Sequence, residues 1–318
     1  MTIDATFARD EGRHDAGPAA IWEEVWSFDF AAIDDEGDIR GGFVRFALRP
    51  HDKVAWYWAA FVTPEHPLVL VRDDEVPPPR AGRDPALPDL EVRADGLWAE
   101  LVCETPMEHW GLGLEAFGIE LDDPFAALHS ADELRGDRVA VGLDLEWEVA
   151  APAYRHADTA RRVRYEQLGT VYGELLVGRE RIPFAGCGSR AHTWGDAEWT
   201  ALSQRFWCAT AGELVDRGMS ITTWDGNEVS GYRWELGEPP HAVAAVRTEA
   251  HRDGAGIPDT ARYIVGDELE VELEVRGLVP LVVPRGADQN GRLVRALAAF
   301  TAPDWTGAGW ADWCDWLD

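Results

Sequence analysis

The sequence predicts an all-β protein of antiparallel strands arranged as sandwiches or barrels, and three observations point to it. Apolar and polar residues alternate with period two along much of the chain, turn dipeptides separate the alternating runs, and helical periodicity is scarce. The alternating runs are GFVRFALRP (42–50), LEVRADGLWAELVCE (90–104), RVAVGLDLEWEVA (138–150), RVRYEQLGTVYGELLVG (162–178), MSITTWDGNEVSGYRWEL (219–236), HAVAAVRTEAHR (241–252) and ELEVELEVRGLVPLVV (268–283). In 138–150, Leu143, Leu145, Trp147 and Val149 share one face while Asp144, Glu146 and Glu148 share the other, as on a half-buried strand. Asp95-Gly96, Asp225-Gly226 with Asn227, Asp253-Gly254 and Gly266-Asp267 supply turns. Many short strands with such turns favour antiparallel barrels over alternating βα units.

Three other segments complete the organisation. GRLVRALAAF (291–300) carries Leu293, Val294, Leu297 and Phe300 at helical spacing and is the best candidate helix. Residues 74–89, with five prolines including Pro77, Pro78 and Pro79, read as an exposed loop. AAPAYRHADTA separates two strand-rich halves and places a domain seam at 154–155, giving domains 1–154 and 155–318.

Composition bounds the function. Hydrophobic residues make up 46% of the 318, enough to bury a sizeable core. The net charge is −29, from 58 acidic and 29 basic residues, and Lys53 is the only lysine. Such a surface repels nucleic acid and anionic membranes. A GC-rich or salt-adapted source accounts for it, since acidity favours solubility. The N-terminus MTIDATFARDEGRHDAG lacks the positive and apolar regions of a signal peptide, and no stretch is apolar for long enough to span a bilayer. A soluble, cytoplasmic protein without stable membrane insertion is expected. Cys103, Cys187, Cys208 and Cys314 form no CxxC pair and read as reduced, buried thiols. The 16 tryptophans imply an aromatic core or an aromatic-lined cavity.

The stretch AGCGSRAHTWGDAEW (185–199) holds the chemistry. Gly186-x-Gly188-x-x-Ala191 has the form of a dinucleotide loop, but that loop needs a helix after it to present amides to pyrophosphate. Strand-like sequence follows instead, so the glycines serve a bulge or tight turn. On a strand His192 and Trp194 project to one face, and Asp196 continues that parity unless Gly195 breaks the register. Facing a cavity, the imidazole is an acid–base candidate; otherwise it is a structural histidine bonded to a neighbouring strand. In CETPMEHWGLGLEAFG (103–118), Glu108 shares parity with Trp110, Leu112 and Leu114, and His109 takes the other face. Glu108 is the acid of a proton-transfer pair, the partner of Arg190 or His192, or a strand-edge carboxylate at the barrel rim. With no HxH, HExxH or paired cysteines, no metal site is expected.

WEEVWSFDF (22–30), AWYWAAFV (55–62), EHWGLGLEAFGIELDDP (108–124), GLDLEWE (142–148), YEQLGTVYGELLVG (165–178) and GCGSRAHTWG (186–195) carry a resemblance. The sequence resembles the lipocalin-like superfamily of hydroxyneurosporene synthase (a carotenoid hydratase), tocopherol cyclase, AttH and the Diels–Alderase-type cyclases, most closely a bacterial branch. The resemblance implies two lipocalin-like antiparallel β-barrel domains packed together, with a hydrophobic pocket for a polyene or terpenoid. It implies olefin-protonation chemistry, meaning hydration, cyclisation or guided pericyclic closure, with no redox cofactor. In the hydratases a His and a nearby Trp of this motif matter, and they map onto His192 and Trp194. The branch usually carries Arg-Asp-His ahead of Trp-Gly, and here Ala191 stands in the middle position. Three readings follow: Asp196, Glu198 or Glu108 substitutes for the acid, the pocket only shapes its substrate, or the site is not catalytic.

The expected function is a hydratase or cyclase for a lipophilic small molecule. His192 is the acid–base residue, Glu108 its orienting partner, and Asp196 a further acid. Trp194 and Trp110 face a developing cation, worth about 0.5–2 kcal/mol each. Arg190, Tyr165, His109 and Trp224 are expected to contact substrate. The alternative is a non-catalytic lipid- or terpenoid-binding calycin protein.

Overall fold

The computed structural model describes residues 8–316 except 20, 35, 80–86, 89, 126–134, 157–161, 198, 200, 212–213, 225–227, 254–256, 267–268 and 285–289. Glu198, the turn at Asp225-Gly226 and parts of the turns at Gly254 and Asp267 lie outside the described residues.

The chain folds into two antiparallel sheets. The first holds β1 (Trp22–Ile33), β2 (Ile39–Arg49), β3 (Val54–Val62), β4 (Val69–Val76), β5 (Leu90–Ala94), β6 (Leu97–Thr105), β7 (His109–Leu121), β8 (Gly136–Val149), β9 (Tyr154–Arg155), β10 (Arg162–Val177) and β11 (Glu180–Asp196). The second holds β12 (Leu202–Thr210), β13 (Arg217–Trp224), β14 (Val229–Glu235), β15 (His241–Val243), β16 (Val246–Arg252), β17 (Pro258–Val265), β18 (Leu269–Pro284), β19 (Asn290–Ala302) and β20 (Trp305–Trp316). In the first sheet the order β4-β3-β2-β1-β11-β10-β8-β7 closes on itself where β4 pairs with β7 at Val69–Glu120 and Leu70–Ile119. The second sheet curls over its own core, because Phe206 of β12 stacks on Tyr263 of β17 at 4.0 Å although the two strands are not neighbours. The packed barrel-like units implied by the resemblance are therefore present.

Sheet membership changes between Asp196 and Leu202. β10 and β11 stay with the first sheet, so the change comes well after the seam expected at 154–155.

β1 is a partition wall. Its even-numbered residues Trp26, Phe28 and Phe30 face the first barrel's core, while Val25 and Ala31 join a second core with Trp207, Leu297 and Trp310 of the other sheet. Polar groups bridge that contact as well. Asp29 accepts from Trp207 Nε1 at 3.1 Å and from Arg295 Nη2 at 2.8 Å, and Arg295 Nε donates to Asp312 at 2.9 Å. Each buried charge there has an opposite charge within bonding reach, as burial requires.

The segment 291–300 is not a helix but the body of β19. Leu293 and Leu297 pack between the sheets, whereas Ala296, Ala298 and Phe300 pack into the second sheet's own core. With both faces buried the period-two signal disappears, and the apolar run imitates helical spacing. All four cysteines are free and buried, as expected.

Gly186 and Gly188 make neither a bulge nor a turn; both pair regularly with β10, and Gly188 also pairs with β1. A Cβ at Gly186 would lie 2.3 Å from Ala31 O, and one at Gly188 would lie 2.5 Å from Val171 Cγ2 and 3.2 Å from Trp147. Their role is close approach rather than a bend.

Candidate functional site

Three cross-strand layers of β1, β11 and β10 build the site at one end of the first barrel. Glu24 lies opposite Trp194 and Val163, then Trp26 opposite His192 and Tyr165, then Phe28 opposite Arg190 and Gln167. Period-two alternation puts all of these side chains on the interior face.

His192 is fully buried, its ring stacked on Trp26 at 4.4 Å. Its Nε2 is 3.0 Å from Glu24 Oε1, and its Nδ1 is 3.4 Å from the Tyr165 oxygen. Tyr165 gives its single hydroxyl proton to Glu11 Oε2 at 2.8 Å. A hydrogen on Nε2 donates to the Glu24 carboxylate at 3.0 Å, the shorter of the two ring contacts. Glu24 also accepts from His14 Nδ1 at 2.8 Å and from the His14 backbone N–H at 3.0 Å. His14 in turn lies flat on Trp194, with ring centroids 3.8 Å apart and planes 8° apart. Burial pushes the Glu24 carboxyl upward, but hydrogen bonds and charge from His14 and His192 outweigh it and hold the group below its usual range.

Glu11 forms a second, sealed cluster beside the first. It takes both Arg190 Nη1 at 3.0 Å and Nη2 at 2.6 Å, and the Met107 backbone N–H at 2.8 Å. Gln167 completes the cluster, accepting from Arg190 Nε at 2.9 Å and donating to Met107 O at 3.1 Å. Burial raises the Glu11 carboxyl, and the Arg190 charge and fork bring it below its ordinary value. Burial, then the Glu11 charge, lifts the Tyr165 hydroxyl far above its own. Among the described residues Lys53 (φ 60°) and Met107 (φ 65°) are the non-glycine residues with left-handed backbones, a strained conformation that concentrates at functional sites.

A cavity of about 370 Å³ opens at this end, lined by His14, Glu24, Leu48, Arg49, Lys53 and Val54 among others. Donor atoms of His14, Glu24 and His192 lie within 4.8 Å of one another and could hold a divalent metal. Two imidazoles and one carboxylate suit zinc or iron(II).

The expected residues divide. His192, Trp194, Arg190, Tyr165 and Trp110 come together, with the Arg190 guanidinium 5.5 Å from the Trp110 ring and 5.3 Å from that of Trp147. The cation that Trp110 faces is thus Arg190. Glu108 lies in the turn before β7, not on a strand; its backbone bonds Thr105 and Val149, and Glu24 holds the place beside His192 that Glu108 was expected to take. Asp196 is at the end of β11 opposite Trp22, and the two ring nitrogens of His192 are engaged by Glu24 and Tyr165 instead. His109 points outward and bonds Glu146 at 2.6 Å. Trp224 ends β13 in the second sheet, under Arg162 at 4.3 Å. Ala191 faces away from His192, opposite Ser27 and Glu166, so an acid there would not touch the imidazole.

Glu11, His14 and Glu24 escape a sequence reading. Glu24 leaves one usable signal, a carboxylate sharing parity with Trp22 and Trp26 in WEEVWSFDF. Glu11 and His14 sit in an acidic, aperiodic segment and leave none.

A family model described as "Domain of unknown function (DUF7064)" matches residues 8–316. No curated protein matches the chain. Among solved structures, an AttH-like protein from Nitrosomonas europaea is similar at 14% identity with a TM-score of 0.61, covering 97% of this chain and 96% of that one. Kievitone hydratase from Nectria haematococca follows at 10% identity and a TM-score of 0.60, covering 99% and 93%. CghA follows at 12% identity and a TM-score of 0.55, covering 94% and 89%. At these identities the likeness shows a shared fold, the one that the sequence resemblance implies.

Proposed function

This chain belongs to the DUF7064 family, and we propose that it is an enzyme that protonates a carbon–carbon double bond of a lipophilic, isoprenoid- or polyene-like molecule, leading to hydration or cyclisation. The observation that carries this reading is the buried His192–Glu24 pair, 3.0 Å apart, with Glu24 and His14 lining a cavity. A carrier needs a cavity but no buried acid–base pair beside it. The kievitone hydratase, a hydratase by name, has a similar fold and supports the hydration branch.

In this mechanism a protonated His192 stands behind Glu24, and the ionised carboxylate relays the Nε2 proton to one olefinic carbon. The π electrons form the new C–H bond and leave a cation at the other carbon. Water then adds there and returns a proton to Glu24, or a second double bond of the same molecule attacks and the ring product loses its proton to Glu24. Neither outcome transfers electrons to a partner, so acid–base groups suffice. Trp194 backs His14, whose ring lies flat against it, and so fixes the imidazole that lines the cavity. The cavity lies near the lower end of the roughly 300–1,000 Å³ range of small-molecule sites, so a short chain suits it better than a carotenoid.

The test is mass spectrometry of small molecules that co-purify with the protein, followed by incubation of the identified alkene in D₂O. One deuterium in a hydrated or cyclised product, lost in His192→Gln, is expected. An alkene recovered unchanged from wild-type protein would overturn the reading.

A further inference from the structure

The chain carries a single lysine and a net charge of −29, yet that lysine stands at the mouth of the cavity that Glu24 and His14 line. Two arginines, Arg13 and Arg49, line it too. Arg49 is buried, and its Nε binds Asp52 at 2.8 Å while its guanidinium covers Trp56 at 4.0 Å. Its Nη1 is buried without a hydrogen-bond partner, a state that favours an incoming acceptor. Lys53 forms no ion pair among the described residues, and its left-handed backbone at φ 60° is held in the turn joining β2 and β3. Against so acidic a background, a cationic rim focuses attraction on one spot for negative ligands. Leu48, Pro50, Val54 and Pro78 supply apolar wall to the same cavity.

We propose that this cavity binds an amphipathic organic anion, with a carboxylate or a similar oxyanion held by Arg49 and Lys53 and an apolar body extending toward His14 and Glu24. Resting on the function proposed above, it makes the substrate an acid with an unsaturated hydrocarbon body rather than a neutral hydrocarbon. A planar guanidinium and an ammonium on one rim suit a carboxylate, with directed bonds from the first and point charge from the second. Asp15 and Glu24 also line the cavity. Their charge sets the orientation, since an anionic head is repelled from the Glu24 end.

The test is isothermal titration of the full-length protein with decanoate and with 1-decanol, which share a hydrocarbon chain and differ in the charged head. Decanoate is expected to bind at least tenfold more tightly, with an affinity that falls as salt rises. Lys53→Gly removes the ammonium and suits the left-handed turn, so the fold stays intact; a loss of about tenfold for decanoate with decanol unchanged is expected. Arg49→Gln is expected to act in the same direction. Equal affinities for the two ligands, no decanoate binding, or a Lys53→Gly variant with wild-type decanoate affinity would each overturn the anion site. Because no turnover is measured, these results stand apart from the D₂O experiment: failure here with deuterium incorporation retained removes only the anion site.

Discussion

Glu24 and His192 form a buried pair 3.0 Å apart, diagonal to each other across β1 and β11. Cross-strand neighbours on one face are fixed by the register of the sheet, so neither side chain needs a flexible loop to find the other. Replacing Glu24 by Gln keeps the shape and removes the carboxylate that relays the proton. Turnover is expected to fall about 10²–10⁴-fold with the circular dichroism spectrum unchanged. A Glu24→Gln enzyme retaining full kcat would place the proton elsewhere.

Glu11 neutralises Arg190, and both are buried. Removing one member of such a pair strands a charge, so Glu11→Ala is expected to lower unfolding free energy by about 3–5 kcal/mol. Adding Arg190→Met to that variant is expected to recover much of the loss, because no lone charge remains. Urea denaturation of the two variants checks this, and equal stability of the single and double variants would show that Arg190 finds another partner.

Acid is expected to destabilise the site in a defined window. Glu11 and Glu24 are held below their ordinary value of 4.5. Their contribution is complete above that value and is lost as pH falls through the lower folded-state values. Thermal midpoints measured between pH 7 and pH 3 should be flat and then drop below about 4.5, and Glu11→Gln should make the drop shallower. A wild-type midpoint independent of pH down to 3 would contradict the assignment.

Ala191→Asp separates the sequence motif from the geometry. Position 191 faces Ser27 and Glu166, and Glu166 already pairs with Arg164 at 2.6 Å and His156 at 3.2 Å. A second buried carboxylate beside it is expected to cost about 2–5 kcal/mol and to leave the activity per folded molecule unchanged. A rise in kcat in this variant would restore the role that the motif suggested.

What the sequence reveals follows from how many faces of each strand are buried. β8 has one solvated face, and Leu143, Leu145 and Trp147 alternate cleanly with Asp144, Glu146 and Glu148. β1 and β19 are covered on both faces, so β19 reads as a helix and the inter-sheet wall is invisible. The pairing of His192 with Trp194, and the placing of Arg190 and Tyr165, are legible because they lie on strands of known parity. Glu24 is legible in parity but not in partner, since register across β1 and β11 is a long-range property. Glu11 and His14 belong to a segment ordered only by what it touches, and no local pattern announces that. Glu108 misleads for the opposite reason: the residues after it alternate like a strand, but the strand starts one residue later.

The bond from Arg190 to Glu11 joins positions 179 residues apart in sequence. During synthesis the acid emerges from the ribosome long before the base that neutralises it, and β1 waits equally long for β11. The barrel wall and the His192–Glu24 pair are thus finished only after β11 has been made, a slow, non-local closure. An interrupted chain would hold the acidic leading segment with nothing to dock against. Completion of the site doubles as a record that translation has passed Arg190.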